Sequence, residues 1–290
     1  MVSVPVQTSP DVLARHAYSL DVSGYTIVPA QVGSTDLDEL HLCADRALAA
    51  AQAALRAGRK LKHTYTCEYY EAVRCLYCWG AACVRLLEHD TVHGLAALLM
   101  GTYRLWDMSV LSALPTPPAA SAATTSWHRD FGHIVSGTPV PGHLWFFLCL
   151  DDLTSENGAT WVVPGSHRLS SVHEPAMGKA WSGDNLDAYP SRIQLCARAG
   201  DVVVIDPTLL HTSGCNGTAH ARRLLNIGLS HADLQPLLDH WAIAGPAIQA
   251  GASKRVRMML GADRAPLDTT WTVLPEGWQT AGPRPWGATS

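Results

Sequence analysis

Four short apolar runs, set between glycine, proline and aspartate breaks, constrain the fold of this chain more than any other feature. They are Trp145-Phe146-Phe147-Leu148-Cys149-Leu150, Thr160-Trp161-Val162-Val163, Val202-Val203-Val204-Ile205, and residues 222–229. Each is short for a helix and rich in residues that suit a pleated, half-buried surface. Asn157-Gly158 is a turn that returns the chain into the second run, Pro164-Gly165 ends that run, and Gly200-Asp201 opens the third. Short strands with such punctuation predict a mainly β sandwich or barrel core.

Helices flank that core. Residues 24–29, Gly-Tyr-Thr-Ile-Val-Pro, read as a short strand stopped by Pro29. Ser34-Thr35-Asp36 then offers an N-cap for an Ala- and Leu-rich helix over 37–55 that ends near Gly58. A second helix is expected over 81–100, carrying Val84, Leu87, Leu95, Leu98 and Leu99. Pro115, Pro117 and Pro118 make 112–126 a loop, and the polar stretch 169–192 is long enough for a lid. The expected organisation is one domain over 1–290: a helical part over about 1–110, the β core over about 111–232, and a C-terminal extension over 233–290. That extension, with Trp241, Trp271, Trp278 and Trp286, reads as a helix plus an extended arm.

Charge narrows the partners. The 290 residues hold 21 Lys and Arg against 25 Asp and Glu, with no basic run, so nucleic-acid binding is not expected and a small-molecule substrate is. Neither a leader nor a membrane span is visible, which predicts a cytoplasmic location; homo-oligomerisation is left open. The eight cysteines are scattered in a long chain, so they read as reduced, mostly buried thiols and not as a disulfide framework or metal site.

The chemistry sits in Thr125-Ser126-Trp127-His128-Arg129-Asp130. Side chains alternate along a strand, so His128 and Asp130 project from one face with Ser126, and Trp127 and Phe131 from the other. His211 follows an apolar strand and the breaker Asp206-Pro207, near the end of another wall. Two histidines and one carboxylate give a metal a three-point face with open positions, the ligand set of non-heme Fe(II) oxygenases. The same face also suits catalytic zinc, so a zinc-dependent hydrolase and a non-catalytic ligand-binding protein stand as alternatives. His128-Arg129-Asp130-Phe131-Gly132 also spells two kinase signatures run together. Kinases place these on separate loops, after a glycine-rich loop and a strand lysine that this chain lacks, so that reading is discarded.

His128-x-Asp130, the string Glu156-Asn157-Gly158-Ala159-Thr160-Trp161-Val162-Val163-Pro164-Gly165-Ser166-His167, and His211-Thr212-Ser213-Gly214 followed by Arg222 together resemble the phytanoyl-CoA dioxygenase family of Fe(II)/2-oxoglutarate-dependent oxygenases. The strand at Gly24-Tyr25 with a helix after it is similar to that family's start. The resemblance implies a double-stranded β-helix, or jelly roll, with flanking helices. It implies His128, Asp130 and His211 as iron ligands, with 2-oxoglutarate as cosubstrate and O2 as oxidant. Arg222, eleven residues past His211, is implied as the anchor of the distal carboxylate of 2-oxoglutarate, assisted by Ser213, and Trp145 as a wall of that pocket. A guanidinium fork suits a carboxylate in a cavity. Arg223 should face the other way, as a surface or salt-bridged arginine, and His167 has a structural or hydrogen-bonding place after its turn. The chemistry implied is oxidation, most simply hydroxylation, of an unactivated C–H bond in a small molecule such as a natural-product intermediate, with release of succinate and CO2. Related halogenases replace the carboxylate with a small residue, so Asp130 points to hydroxylation or a related oxidation.

Overall fold

The computed structural model describes residues 9–59, 65–67, 69–117, 127–130, 141–169 and 189–264. Ser9 caps α1 (Pro10–Ser23) by accepting from the Val12 N–H, Pro10 fills a first-turn position, and Gly24 ends the helix in the left-handed region at φ 79. The chain turns directly into β1 (Tyr25–Val28). α2 (Ser34–Arg56) buries Leu40, Cys43, Ala44, Ala47, Leu48, Ala51 and Ala54, a three- and four-residue spacing whose small members let the helix lie close to its neighbours. It starts at Ser34 without a side-chain cap, and Asp36, expected in that cap, pairs instead with Arg85 at 3.0 Å.

β2 (Tyr65–Cys67) and β3 (Tyr70–Arg74) follow, then a 3-10 turn at Leu76–Trp79, α3 (Ala81–Leu86) and α4 (Asp90–Met100). The one helix expected over 81–100 is therefore two. The N–H groups of Leu87, Glu88 and His89 bond carbonyls three residues back, which tightens and ends the first helix. Asp90 then opens the second with a carboxylate in its first turn, where the helix dipole favours it.

The remaining elements are β4 (Tyr103–Ala113), β5 (His143–Cys149), β6 (Trp161–Val162), β7 (Ile193–Gln194), β8 (Val202–Ile205), β9 (His211–Thr212), β10 (Arg222–His231), α5 (His240–Gly251) and α6 (Lys254–Leu260). The N-terminal part expected to be helical thus also holds β1, β2, β3 and most of β4. The loop expected from 112 begins only after Ala113. Residues 118–126, most of the lid expected over 169–192, and the tail with Trp271, Trp278 and Trp286 lie outside the described residues. Trp241 lies in α5, which kinks where Gly245 takes φ 69 before Pro246.

Seven strands form one antiparallel sheet in the order β1-β8-β5-β10-β4-β3-β2, and β7-β6-β9 form a second. This is the antiparallel jelly-roll arrangement with flanking helices, not a closed barrel. Period-two alternation divides the large sheet into two faces. Leu144, Phe146, Leu148, Val202, Val204, Leu225, Ile227 and Leu229 point into a core shared with α2, α3 and α4. Trp145, Cys149, Val203, Ile205 and Leu224 point the other way and meet Val162, Leu195 and Leu209 from the region of the small sheet. Phe146 is fully buried at the centre of the helix-side core, and its truncation to alanine costs about 3–5 kcal/mol. Cys43, Cys75, Cys78, Cys83 and Cys149 are buried free thiols. Among the described residues no helix is long and apolar enough to cross a membrane.

Candidate metal centre

The candidate metal face is built by one cross-strand pair. The His128 N–H donates to the His211 carbonyl at 2.9 Å, and the His211 N–H returns the bond to the His128 carbonyl at 3.0 Å. Reciprocal bonds of this kind set two residues directly opposite with side chains on one face. The imidazole centroids accordingly lie 4.3 Å apart. β9, which carries His211, is itself paired to β6 through Val162, so residues 127–130 extend the small sheet by one short strand. Asp130, two residues on, is held by its own N–H on the Pro207 carbonyl at 3.0 Å. Its carboxylate places Oδ1 3.5 Å from His128 Nε2 and Oδ2 3.7 Å from His211 Nε2. One ligand atom from each residue lies within 4.8 Å of the others. Adjacent ligands at about 2.1 Å from a metal stand about 3 Å apart, so the face closes on an ion by small side-chain movements.

The opposite side of the segment fixes it in place. Trp127 is buried against Val163 and Leu210, with the Tyr189 ring 4.9 Å from its own. Arg129 donates through Nη1 to the Ser166 carbonyl at 2.9 Å and to the Thr208 carbonyl. Ser166 in turn accepts the Leu210 N–H on its hydroxyl at 2.8 Å. One 3-10 turn, Ser166–Arg168, thereby holds both ligand-bearing segments. Trp127 faces away from the ligands as expected; Ser126 and Phe131 lie outside the described residues.

Protonation also suits a cation. His211 Nδ1 donates to the Leu209 carbonyl at 2.8 Å, which leaves the Nε2 lone pair facing Asp130. Burial lowers the pKa of His211, against the pull of Asp130, and so favours the neutral ring. Burial pushes the Asp130 carboxyl up, but a hydrogen bond from His128, the charge of His211 and a hydrogen bond from Trp145 outweigh it and hold the group at about 2. An ionised carboxylate beside a neutral imidazole is the state a metal ion requires.

Trp145, expected as a wall of the cosubstrate pocket, donates its indole N–H to Asp130 Oδ2 at 2.5 Å. This link crosses from the large sheet to the metal face. Room for the ring comes from Gly228, opposite Trp145 in the register. A Cβ there would stand 2.4 Å from Cζ3 and 2.7 Å from Cε3 of the indole.

Arg222 opens β10 on the same inner face as Leu224 and is 3% exposed. Its Nη2 donates to the Gly158 carbonyl at 2.7 Å and its Nε lies 3.5 Å from the Asn157 carbonyl. Among the described residues it has no carboxylate partner. A buried guanidinium bonded only to neutral carbonyls is ready for an anion. Arg223, facing the other way, is bound to Asp151 and Asp45, as expected. Gly158 makes the Arg222 turn possible: it has φ +84, and a Cβ on it would stand 2.7 Å from the Gly214 carbonyl. Ser213 is the residue before Gly214, half-buried, so the turn that holds Arg222 also packs against the segment carrying Ser213. His167 donates through Nε2 to the Asp21 carbonyl at 3.1 Å and ties the end of α1 to the 3-10 turn. Its place is structural. Arg129, Ser166 and Gly228 had no place among the expected functional residues. Only the alternation around His128 and Asp130 hinted at Arg129, and Gly228 carries no signal without its partner strand.

A jelly roll whose small sheet carries a two-histidine, one-carboxylate face has the donor set that mononuclear non-heme iron oxygenases use. The chain belongs to the phytanoyl-CoA dioxygenase (PhyH) family, whose model matches residues 20–224. It is 29% identical over 182 residues to an L-proline trans-4-hydroxylase of Streptomyces griseoviridis, covering 54% of this chain and 66% of that one. It is 32% identical over 180 residues to the dioxygenase af480 of Aspergillus fumigatus, covering 60% and 53%. The matched segment spans about half the length of the first curated relatives. In fold, the chain is similar to the non-heme alpha ketoglutarate dependent epimerase SnoN from nogalamycin biosynthesis, with a TM-score of 0.58 and 22% identity over 94% of this chain and 99% of that one. It is also similar to HygX from Streptomyces hygroscopicus with nickel and 2-oxoglutarate bound, with a TM-score of 0.55 and 16% identity over 76% and 88%.

Proposed function

We propose that this protein is an Fe(II)- and 2-oxoglutarate-dependent oxygenase that hydroxylates an unactivated C–H bond of a small molecule. The observation that carries this reading is the combination of the His128, Asp130 and His211 face with a buried Arg222 that has no carboxylate partner among the described residues. In this reading His128, Asp130 and His211 hold Fe(II), and Arg222 takes the distal carboxylate of 2-oxoglutarate with Ser213 nearby. Bound there, iron with 2-oxoglutarate and O2 supplies the oxidising power to break a C–H bond, with succinate and CO2 released. The chain's own residues position and protect. Leu209 fixes the His211 tautomer, Trp145 and Arg129 hold the Asp130 segment, and the inner apolar residues keep water from the reacting carbon. Asp130 keeps the carboxylate position filled, which favours oxidation over halide transfer. A zinc hydrolase would share the three ligands but has no use for Arg222 as placed.

Anaerobic addition of Fe(II) and 2-oxoglutarate should give a visible charge-transfer band that His211→Ala abolishes. No band from folded, iron-loaded protein would sink the reading. With a substrate in hand, turnover under 18O2 distinguishes hydroxylation from other oxidations: label in the organic product supports hydroxylation, and a product without new oxygen replaces it.

A further inference from the structure

Beside Trp145 on the inner face of the large sheet lies a polar cluster that neither the metal nor the Arg222 pocket uses. Gly228 of β10 pairs with Trp145 of β5 on one side and with Asp107 of β4 on the other. With adjacent strands about 4.8 Å apart, Asp107 stands about 10 Å from Trp145 across the bare glycine, on the same face. The next row holds Asn226, opposite Ser109, and Ser109 is opposite Arg74 of β3. Asp107 and Asn226 are 3% and 7% exposed.

Their hydrogen bonding is half complete. Asp107 Oδ2 accepts from the Ser109 hydroxyl at 2.8 Å and meets Arg74 Nη1 at 2.6 Å. Among the described residues its Oδ1 has no partner, nor has Asn226 Oδ1. Buried acceptors left unpaired are costly, and native proteins keep them rarely and for a reason. An internal ion pair needs Oδ2 alone, so the arrangement fixes the Asp107 carboxylate and leaves its second oxygen for something else. Both oxygens accept hydrogen bonds, so what completes them must donate. Trp106, next to Asp107 in the chain, stands edge-on to His143 at 4.8 Å, and His143 is 6.0 Å from Trp145, giving the cluster an aromatic border that reaches the residue bound to Asp130.

We propose that Asp107 Oδ1 and Asn226 Oδ1 form the specificity-determining acceptor pair that takes a hydroxyl or amino group of the substrate. This rests on the oxygenase reading and deepens it. Arg74 and Ser109 are positioning residues that hold the Asp107 carboxylate. The substrate class is then a molecule bearing at least one hydroxyl or amino donor, not a purely apolar one. A site built around such a donor rejects the analogue that lacks it by orders of magnitude, because its own buried acceptors are stranded.

The test uses matched pairs of small compounds, each an alcohol or amine with its deoxy or deamino analogue, scored by succinate formation on the iron- and 2-oxoglutarate-loaded protein. Turnover confined to donor-bearing members, with KM raised at least about tenfold in Asp107→Asn, supports the pair. Equal turnover of the donor-free partners overturns it. Asn226→Leu provides a second arm that does not depend on the ion pair. Removing a stranded acceptor leaves the free protein's melting temperature unchanged or higher while KM rises; a lower melting temperature with unchanged KM assigns Asn226 to structure and overturns its place in the pair. A wild-type protein that gives no charge-transfer band fails the oxygenase reading instead, so the two failures are distinct.

Discussion

Gly228→Ala is the most demanding perturbation of this structure, because it changes one methyl group and acts through Trp145 on Asp130, a proposed metal ligand. The added Cβ would stand 2.4 Å from Trp145 Cζ3, whereas carbon atoms settle at about 3.5 Å or more. The indole is rigid and buried, so it must retreat by about 1 Å. Nε1 rides on the same rigid ring and now meets Asp130 Oδ2 at 2.5 Å, so the displacement strains or breaks that hydrogen bond. Loss of such a partner weakens metal binding by about 10–100-fold, or about 1.4–2.8 kcal/mol. Trp145→Phe is the companion variant: it removes the N–H, keeps most of the ring, and should weaken metal binding to a similar degree with less strain in the core. Anaerobic Co(II) and Fe(II) titrations measure the affinity, and thermal melts of the metal-free proteins report any loss of fold separately. If both variants bind metal as tightly as the wild type, the indole does not orient Asp130 and the reasoning is wrong.

Other outcomes follow from the same contacts. Arg222→Met should raise the KM for 2-oxoglutarate by about 100-fold, since a charge-assisted fork is lost, and leave Fe(II) affinity near wild type; a parallel loss of iron binding would refute the separation of the two sites. Gly158→Ala forces a side chain into φ +84 and against the Gly214 carbonyl, so it should raise the same KM and lower the melting temperature, checked by succinate kinetics and calorimetry. His93, His211 and His240 have pKa values lowered chiefly by burial. A depressed folded-state value means the unfolded chain takes up protons first, so stability present above about pH 6.5 should be lost as pH falls through the folded values. Melting temperatures from pH 8 to 5 test this, and a flat profile would count against neutral burial. His240 shows why: its Nε2 donates to the Trp106 carbonyl at 2.9 Å and its Nδ1 accepts from the Tyr77 hydroxyl at 3.0 Å, and protonation would place a charge in full burial and force the second bond to reverse.

Strands packed on both faces by apolar groups were legible from the sequence. The runs at β5, β6, β8 and β10 are apolar on alternate residues or throughout, and each stands where its pattern puts it. β3 and β4 were not, for a reason that bears on function. Their inner face carries Arg74, Asp107 and Ser109, and these polar residues interrupt the apolar alternation that announces a strand. They are tolerated because they pair with one another inside the protein. The break within 81–100 was equally invisible, since Leu87 continues the apolar spacing across it and only local 3-10 bonding ends the helix.

His128, Asp130, His211 and Arg222 are chemical choices written in the chain, and a period-two reading puts the first two on one face whatever the fold. What no reading of one segment contains is that His128 lies directly opposite His211, that Trp145 reaches Asp130 across the sandwich, and that Asp107 and Asn226 share the Trp145 face with acceptors unmet. These depend on strand order and register, which are decided when sheets pair and bury their apolar faces together. A one-residue slip of the strand that carries any one of these side chains would turn it to the opposite face.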